Sequence, residues 1–305
     1  PVIGSLFGLA RPLLFALDAY RVTASKLACN ALFARLGVPR PRPWPEGVFP
    51  LVVKPSTASG SQGVSVVRDE PGLIAARTAL EAAGHEAVVE EYVAGPSLSL
   101  EVLCWGGRAV PLQVTGLEFD EAYDCKRVVA PVEMAAGEAP DTEAAGGEVP
   151  DAEAAPGRTA RASRGPAWSG QVTASVLDAM DRVSVTLAEE LGLRGLMDVE
   201  AMVHDGRPKV LEIDARLPSQ TPTAVYWSSG LNIVELLART VGEGRTPAVD
   251  RRPRRACVYQ HVRAADGRLA VAGEHVMAAA RPLTLVSGFF GAHEALTDYA
   301  PGRPE

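Results

Sequence analysis

The chain has 305 residues, of which 47% are hydrophobic, so it is long enough to bury a core and to form two or three subdomains. Its formal net charge of -7 and the lack of any apolar run of roughly 18 to 20 residues argue against nucleic-acid or membrane partners and favour a small-molecule ligand. The four cysteines lack CxxC spacing, which argues against a zinc knuckle or a disulfide framework and predicts a cytoplasmic protein.

The first residues, PVIGSLFGLARPLLFALDAYR, contain no initiator methionine, and Gly4, Gly8 and Pro12 interrupt their apolar residues. We therefore expect a fragment of a longer gene rather than a signal peptide. The next stretch, TASKLACNALFARLGVPRPRP, predicts a helix that begins near its Ser and Thr residues and ends at Gly37. The alternating prolines that follow predict an extended connector.

Short runs rich in β-branched residues begin at residue 51. The predicted strands are Leu51 to Lys54, Val64 to Asp69, Val88 to Tyr92, Ser97 to Trp105 and Ala109 to Thr115. The dipeptide Gly106-Gly107 predicts a hairpin between the last two, and GLIAARTALEAAG predicts a helix between the second and the third. Helices and strands mixed in this way indicate an α+β fold.

Residues 137–156 read GEAPDTEAAGGEVPDAEAAP, a tandem decamer repeat of Ala, Glu, Gly and Pro. Two copies are too few for a solenoid, and the composition offers little apolar surface to bury. We therefore predict a disordered insertion at about residues 134–168, with a folded module as the alternative.

Beyond the repeat, apolar residues from 172 to 191 recur at intervals of three and four, which predicts an amphipathic helix that ends at Gly192. The runs LMDVEAMV and KVLEIDA follow, separated by the turn residues 204–207. They predict an antiparallel pair of strands joined by a tight turn.

Four carboxylates lie on this predicted hairpin. Side chains alternate across a strand, so Asp198 shares a face with Glu200, and Glu212 with Asp214. Crowded carboxylates repel one another unless a cation lies among them, and oxygen ligands favour Mg²⁺ or Mn²⁺. The functional interpretation is a metal site, and the alternative is a solvated polar face.

Two further stretches suit a nucleotide. VVKPSTASGSQGVSVV places Lys54 before a Ser/Gly loop at residues 56–63, whose N–H groups and hydroxyls can surround phosphates, although the spacing is not that of a Walker A motif. VVEEYVAG ends an apolar strand before Gly95 and predicts a hinge whose backbone meets an adenine edge. The alternatives are an ordinary turn and a buried strand end.

The order of these features resembles the ATP-grasp superfamily over about residues 19–240. It runs from a helix lysine, Lys26, through a strand lysine with its Ser/Gly loop and the EEYV hinge to the carboxylate hairpin. Within that superfamily AYDCKRV, GLMDVEAM, EIDARLPSQTPTAVYWSSGLNIVELL and YQHV resemble the ligases of pyrrolysine biosynthesis. The resemblance implies an ATP-grasp fold, in which two α+β subdomains hold ATP between antiparallel sheets.

The resemblance also implies domain boundaries. Residues 1–48 would be the remnant of a mostly missing N-terminal domain together with a linker helix. Residues 49–103 would form the subdomain with the Ser/Gly loop, and residues 104–245 the catalytic subdomain that carries the insertion. Residues 246–305 would be a C-terminal segment.

Site roles follow from the same resemblance, which implies ATP and Mg²⁺, with Mn²⁺ as an alternative ion. The ATP-binding residues would be Lys26, Lys54, Ser59, Gly60, Ser61, Glu90, Glu91, Tyr92 and Val93. The metal ligands would be Glu200, Glu212 and Asp214, and the catalytic residues Lys54 and Arg216. The amino-acid pocket would comprise Glu101, Asp124, Asp198, Ser219, Gln220, Thr221 and Thr223.

Plainer alternatives exist for these assignments. Arg216 could form a salt bridge at a strand end, the SQTPT run could build a proline-rich turn, and the surplus acids could be exposed. The sequence also departs from the family pattern at Pro96-Ser97, where relatives often carry an acid for the ribose. A second departure is Gln260, where Glu is expected.

The implied reaction is ATP-dependent amide formation between 3-methyl-D-ornithine and the ε-amine of L-lysine through an acyl phosphate. Charge neutralisation and positioning would supply most of the catalysis. One alternative is an ATP-grasp ligase for other amino acids, and another is a non-catalytic nucleotide-binding module. The expected partners are amino acids, and the sequence carries no signal of oligomeric state.

Overall fold

The computed structural model describes residues 17–58, 60–132, 134, 172–265, 268–280 and 282–299. The predicted insertion therefore lies outside the described residues apart from residue 134, as do Ser59 and the first 16 residues. None of the helices in these ranges is long and apolar enough to cross a membrane.

Helices and strands mix along the described chain. The α-helices are α1 (Leu17–Thr23), α2 (Lys26–Leu36), α3 (Glu70–Ala82), α4 (Ala174–Glu190), α5 (Thr221–Ser229) and α6 (Ile233–Glu243). The strands up to residue 214 are β1 (Leu51–Pro55), β2 (Ser65–Val67), β3 (Ala87–Glu91), β4 (Ser97–Trp105), β5 (Arg108–Phe119), β6 (Cys125–Ala130), β7 (Gly195–His204) and β8 (Arg207–Asp214). The later strands are β9 (Cys257–Gln260), β10 (Val262–Ala265), β11 (Arg268–Val271), β12 (Thr284–Ser287) and β13 (Glu294–Thr297), with 3₁₀ helices at Glu274–Ala279 and Phe289–Gly291.

A three-stranded antiparallel sheet, ordered β2-β1-β3, forms the smaller layer. Helix α3 covers it, and the core between them contains Leu51, Val53 and Leu73. The helix begins where the Asp69 side chain accepts a hydrogen bond from the Gly72 N–H at 2.8 Å. This sheet presents β1, its following loop and β3 to the site.

A six-stranded antiparallel sheet, ordered β8-β7-β4-β5-β6-β9, forms the larger layer. Alternation along β4 sends Leu98, Leu100 and Val102 into a core shared with α4 and α2. The opposite face carries polar residues, and α5 covers part of it. The polar face of this sheet is therefore turned toward the site.

The structure confirms several local predictions. Helix α2 ends at Gly37, whose φ of 66° is left-handed, and β7 and β8 pair across the predicted turn. The antiparallel sheets confirm the α+β class. The change from one sheet to the other falls at residues 92–96, between β3 and β4, whereas the proposed subdomain boundary lies at residue 103.

Other elements carried too weak a signal in the sequence. Strand β6 and the hairpins after residue 257 were not predicted. Helix α5 begins at Thr221, inside the run whose alternative interpretation is a proline-rich turn. Pro222 lies in the first turn of this helix, where a missing backbone N–H costs nothing.

Candidate functional site

Lys26 joins three parts of the site at the start of α2. Its backbone N–H donates to the Ser56 carbonyl at 2.9 Å, and its ammonium donates to the Ala58 carbonyl at 2.7 Å. The same ammonium pairs with the Glu212 carboxylate on β8 at 2.6 Å. One lysine therefore ties the loop after β1 to the carboxylate hairpin.

Left-handed backbone conformations recur in the Ser/Gly loop at residues 60–63. Gly60, Ser61 and Gly63 all have left-handed backbones, with φ of 62°, 56° and 74°. Such a conformation is uncommon for a serine and concentrates N–H groups on the inner side of a turn. Gly60 and Ser61 line two adjacent cavities.

Lys54 forms a buried ion pair with Glu90. The two charged groups lie 2.5 Å apart on neighbouring strands and are 6% and 2% exposed. Burial opposes the charge of Lys54, but the carboxylates of Glu90, Glu212 and Glu200 together outweigh it and raise the lysine pKa. The second Glu90 oxygen has no hydrogen-bond partner in the described part of the protein.

The larger of these two cavities, of about 300 Å³, lies between the two sheets. Lys54 and Glu90 line it at the end near the loop. Apolar side chains from both sheets form its walls, namely Val52, Val66, Met202 and Leu211. A cavity with apolar walls and charged side chains suits a base with a polyphosphate.

The hinge after β3 borders the same cavity. The N–H groups of Glu91 and Tyr92 donate to the carbonyls of Arg42 and Pro50, both at 2.9 Å. The Glu91 carboxylate pairs with the Arg42 guanidinium at 2.6 Å and with the Lys209 ammonium at 2.5 Å. Glu91 therefore braces the hinge through its side chain.

The hairpin carboxylates lie opposite one another as predicted. In the β7–β8 register Glu200 faces Glu212 and Asp198 faces Asp214. Burial and the carboxylates of Glu212 and Asp214 raise the pKa of Glu200 to about 8. Burial also raises the pKa of Asp198, and the negative charges of Glu200 and Asp214 raise it further.

Basic side chains hold two of these acids. Glu212 pairs with Lys26, and the Arg216 guanidinium donates to the Asp214 carboxylate at 2.6 Å. Within the described ranges no three acidic, histidine or cysteine side chains already converge on a point where an ion could bind. The set nevertheless fits a hard divalent cation, because a cation would relieve the repulsion that raises the pKa of Glu200.

A smaller cavity of about 100 Å³ adjoins the larger one. Gly60, Ser61, Phe119, Glu200 and Glu212 line both, so the two cavities meet at the loop and the carboxylates. A ligand group in either cavity would reach this junction. The smaller cavity also brings together Asp198, Arg216, Ser219, Gln220 and Thr221.

Several buried polar atoms around the smaller cavity lack hydrogen-bond partners in the described structure. They include Ser99 Oγ, Asp198 Oδ1, Gln220 Oε1 and Thr221 Oγ1. Ser99 is 1% exposed, and Asp198 and Thr221 are each 7% exposed. Because buried polar groups are normally satisfied, this concentration indicates that a polar ligand completes the site.

Glu101 lies behind this wall. It faces Asp198 in the β4–β7 register, it is fully buried, and it does not line either cavity. Burial raises its pKa to about 7, and the Thr221 hydroxyl opposes this rise, although neither Glu101 oxygen has a hydrogen bond of ordinary geometry in the described structure. Its substrate contact stays a prediction.

Two further pocket predictions lie away from the cavities. Thr223 is exposed on α5. Asp124 lies beneath the C-terminal segment, where its carboxylate accepts from the His275 backbone N–H at 3.1 Å and pairs with His275 Nδ1 at 2.9 Å. Their contacts with substrate remain predictions.

The two departures from the family pattern lie in different surroundings. Gln260 accepts two hydrogen bonds from the Arg127 guanidinium, at 2.8 Å and 2.7 Å. Ser97 lines the larger cavity, and its hydroxyl has no partner among the described residues.

Sequence reasoning missed Glu274. This residue begins the 3₁₀ helix after β11, lines the smaller cavity and accepts a hydrogen bond from Gln220 Nε2. Its neighbours in the sequence, Gly273 and His275, form no motif that marks a site. Only the fold of the C-terminal segment brings it to Gln220.

Comparisons with known proteins agree with this geometry. The family model described as ATP-grasp domain matches residues 23–220. A 3-methyl-D-ornithine--L-lysine ligase of Methanosarcina acetivorans is 33% identical over 268 residues, which cover 87% of this chain and 60% of the relative. The chain thus spans about 60% of that relative's length.

Solved structures share the fold. The biotin carboxylase domain of Hydrogenobacter thermophilus 2-oxoglutarate carboxylase, in complex with MgADP, ADP and bicarbonate, gives a TM-score of 0.64 at 16% identity, covering 87% of this chain and 55% of that one. The L-amino acid ligase from Bacillus licheniformis gives a TM-score of 0.57 at 17% identity, covering 84% and 56%.

Proposed function

Because the chain belongs to the ATP-grasp family, we propose that it is an ATP-dependent ligase that joins two amino acids through an acyl phosphate. We further propose that its substrates are those in the name of its Methanosarcina relatives, 3-methyl-D-ornithine and L-lysine. The observation that carries the proposal is the junction of two cavities at one set of carboxylates, flanked by Lys26, Lys54 and Arg216.

ATP would occupy the larger cavity. The base would lie between the apolar walls and accept a hydrogen bond from Val93, because the N–H groups of Glu91 and Tyr92 are used within the protein. Lys26 and Lys54 would neutralise the phosphates beneath the loop of Gly60 and Ser61. The ribose would meet Ser97, whose unpartnered hydroxyl replaces the acid of other family members.

Glu200, Glu212 and Asp214 would hold Mg²⁺ at the junction, and Mn²⁺ could take the same oxygen ligands. The ion would neutralise charge on the phosphates. Glu212 must then exchange its contact with Lys26, and Lys26 would contact a phosphate in its place.

The amino acids would react at the same junction. The carboxylate of 3-methyl-D-ornithine would take the γ-phosphoryl group of ATP and release ADP. The neutral lysine ε-amine would then displace phosphate to give the amide, and one amine proton would leave with the phosphate. Arg216, released from Asp214, would stabilise the charge that develops on the transferring group. Asp198 and the SQTPT run would orient the amino acids in the smaller cavity.

The proposal is tested by ADP release from the complete gene product. D-Ornithine with L-lysine should give ADP at a rate well above that with paired D-alanine. Preference for D-alanine would favour an ATP-grasp ligase for other amino acids, the second candidate. Nucleotide binding without ADP release on any pair would favour a non-catalytic module.

Four free thiols fit the cytoplasmic location that we propose.

A further inference from the structure

Glu274 reaches the smaller cavity from outside the region that defines the family. The ATP-grasp match ends at residue 220, whereas Glu274 begins a 3₁₀ helix in the C-terminal segment. Its carboxylate accepts a hydrogen bond from Gln220 Nε2 and lines the cavity with Asp198 and Arg216. The generic fold therefore supplies most of the cavity, and the C-terminal segment supplies one additional anion.

Asp124 holds this segment in place. One Asp124 oxygen accepts from the His275 N–H and contacts the His275 ring at 2.9 Å. Gly273 lies so close to Asp124 that a Cβ atom there would be 2.0 Å from that oxygen. The residues on both sides of Glu274 thus lie against one buried carboxylate.

The Ser/Gly loop approaches Glu274 from the opposite side. A Cβ atom added at Gly60 would lie 3.3 Å from Glu274 Oε1 and 3.5 Å from His275 Nε2. The carboxylate therefore lies within reach of this loop, and it lines the smaller cavity but not the larger one. It has one neutral hydrogen-bond partner and no cation within ion-pair distance among the described residues.

We propose that Glu274 selects a basic amino acid by pairing with the side-chain ammonium of the substrate whose carboxylate is activated. This inference rests on the proposed ligase function. Every amino acid carries an α-ammonium, so only a carboxylate placed at the side-chain end separates a basic substrate from a neutral one. Leu117, Phe119 and Val128 line the same cavity and suit the methylene chain.

Unpartnered atoms support a ligand at this place independently of the acidic residues. The hydroxyls of Ser99 and Thr221 line the cavity, are at least nine-tenths buried, and have no hydrogen-bond partner in the described structure. A polar ligand in contact with Glu274 would also satisfy them.

Glu274→Gln in the complete gene product tests the assignment, because the amide keeps the size and the contact with Gln220. ADP release would be followed with L-lysine and either D-ornithine or D-norvaline, which lacks the side-chain ammonium. We expect KM for D-ornithine to rise about ten- to a hundredfold, while KM for D-norvaline and for ATP stays within about twofold. Glu274→Asp should retain part of the preference, and the exposed Glu81→Gln should change nothing.

The two proposals fail in different ways. Equal losses for D-ornithine and D-norvaline, or no loss for either, would overturn the role of Glu274 and leave the ligase standing. Absence of ADP release from the wild-type protein with every amino-acid pair would overturn the ligase and the role of Glu274 together. A thermal unfolding curve for each variant would identify a loss that comes from misfolding.

Discussion

At the larger cavity the buried lysine has its carboxylate partner within the protein, whereas in and behind the wall of the smaller cavity buried carboxylate and hydroxyl oxygens have no hydrogen-bond partner among the described residues. Lys54 and Glu90 are 2.5 Å apart, but Asp198 and Glu101 are both acids and lie opposite each other in the sheet. Internal pairing keeps an empty site stable, and unpaired groups leave free energy to be gained from a ligand of opposite charge. The unbalanced acids near the smaller cavity therefore favour a cationic ligand group there.

Removal of one half of the balanced pair should have the largest effect. Lys54→Met would leave the Glu90 carboxylate buried without a cation, so the free energy of unfolding should fall by about 3 to 5 kcal/mol, and ATP binding should be lost. Denaturant unfolding and nucleotide titration measure the two effects.

A double variant separates the loss of stability from the loss of ATP binding. Lys54→Met combined with Glu90→Leu should recover most of the stability and none of the ATP binding, because the lone buried charge is gone. The exposed Arg77→Met should shift stability by less than about 0.5 kcal/mol. A Lys54→Met protein as stable as wild type would show that the pair is not the balanced unit described above.

The junction between the two cavities comes next. Glu212→Gln would remove a proposed metal ligand and the partner of Lys26, so ADP release should fall by about a hundred- to a thousandfold. Because Glu212 is only partly buried, the unfolding transition should be nearly unchanged. Magnesium titration of ADP release gives the measurement, and an unchanged rate would refute the metal assignment.

Glu101 shows how much a buried acid without a cationic partner destabilises the folded protein. Its folded pKa of about 7 exceeds its ordinary value of 4.5, so between those pH values the unfolded chain loses a proton that the folded protein keeps. The carboxyl therefore destabilises the folded state as pH rises through this window, by up to about 3 kcal/mol above pH 7.

Glu101→Gln should remove this cost. Relative to wild type, the variant should gain stability at pH 8 and little at pH 5, as measured by denaturant unfolding in the presence of a metal chelator. The same difference at both pH values would show that Glu101 titrates normally.

Asp198→Asn should have the smallest effect of the four and should affect only one cavity. The variant keeps the predicted metal ligands but loses one charge-assisted contact, worth about 1.5 to 3 kcal/mol, or about ten- to a hundredfold in apparent affinity for the diamine substrate. ATP affinity should barely change, and titration of each ligand in turn checks this. A loss that falls on ATP instead would assign Asp198 to the larger cavity.

Local sequence signals predicted much of the site. Alternation placed Asp198 with Glu200 and Glu212 with Asp214 on their strands, and the turn at residues 204–207 fixed the pairing. The lysine before the Ser/Gly loop was found in the same way. These predictions succeeded because neighbours in the chain determine strand period and turn type.

Contacts between distant segments could not be predicted in this way. Nothing near Lys26 indicates that its ammonium reaches Glu212, and nothing near Glu274 indicates Gln220. The bracing role of Glu91 likewise depends on Arg42 and Lys209, which join from elsewhere in the fold. Such partners are set by how sheets and segments pack, and a single sequence carries no period or motif for them.

Position 273 in the C-terminal segment tolerates only glycine. Its φ of -78° is accessible to any residue, so the demand for glycine comes from space alone, since a methyl group would collide with the Asp124 carboxylate. In a mutational scan of the whole gene, Gly273→Ala should therefore behave like variants of Asp124 and Glu274. All of them should change the substrate preference and leave nucleotide binding intact. Laboratory evolution toward new amino-acid substrates should therefore succeed most often with substitutions in this short segment, because it contains none of the predicted ATP-binding residues.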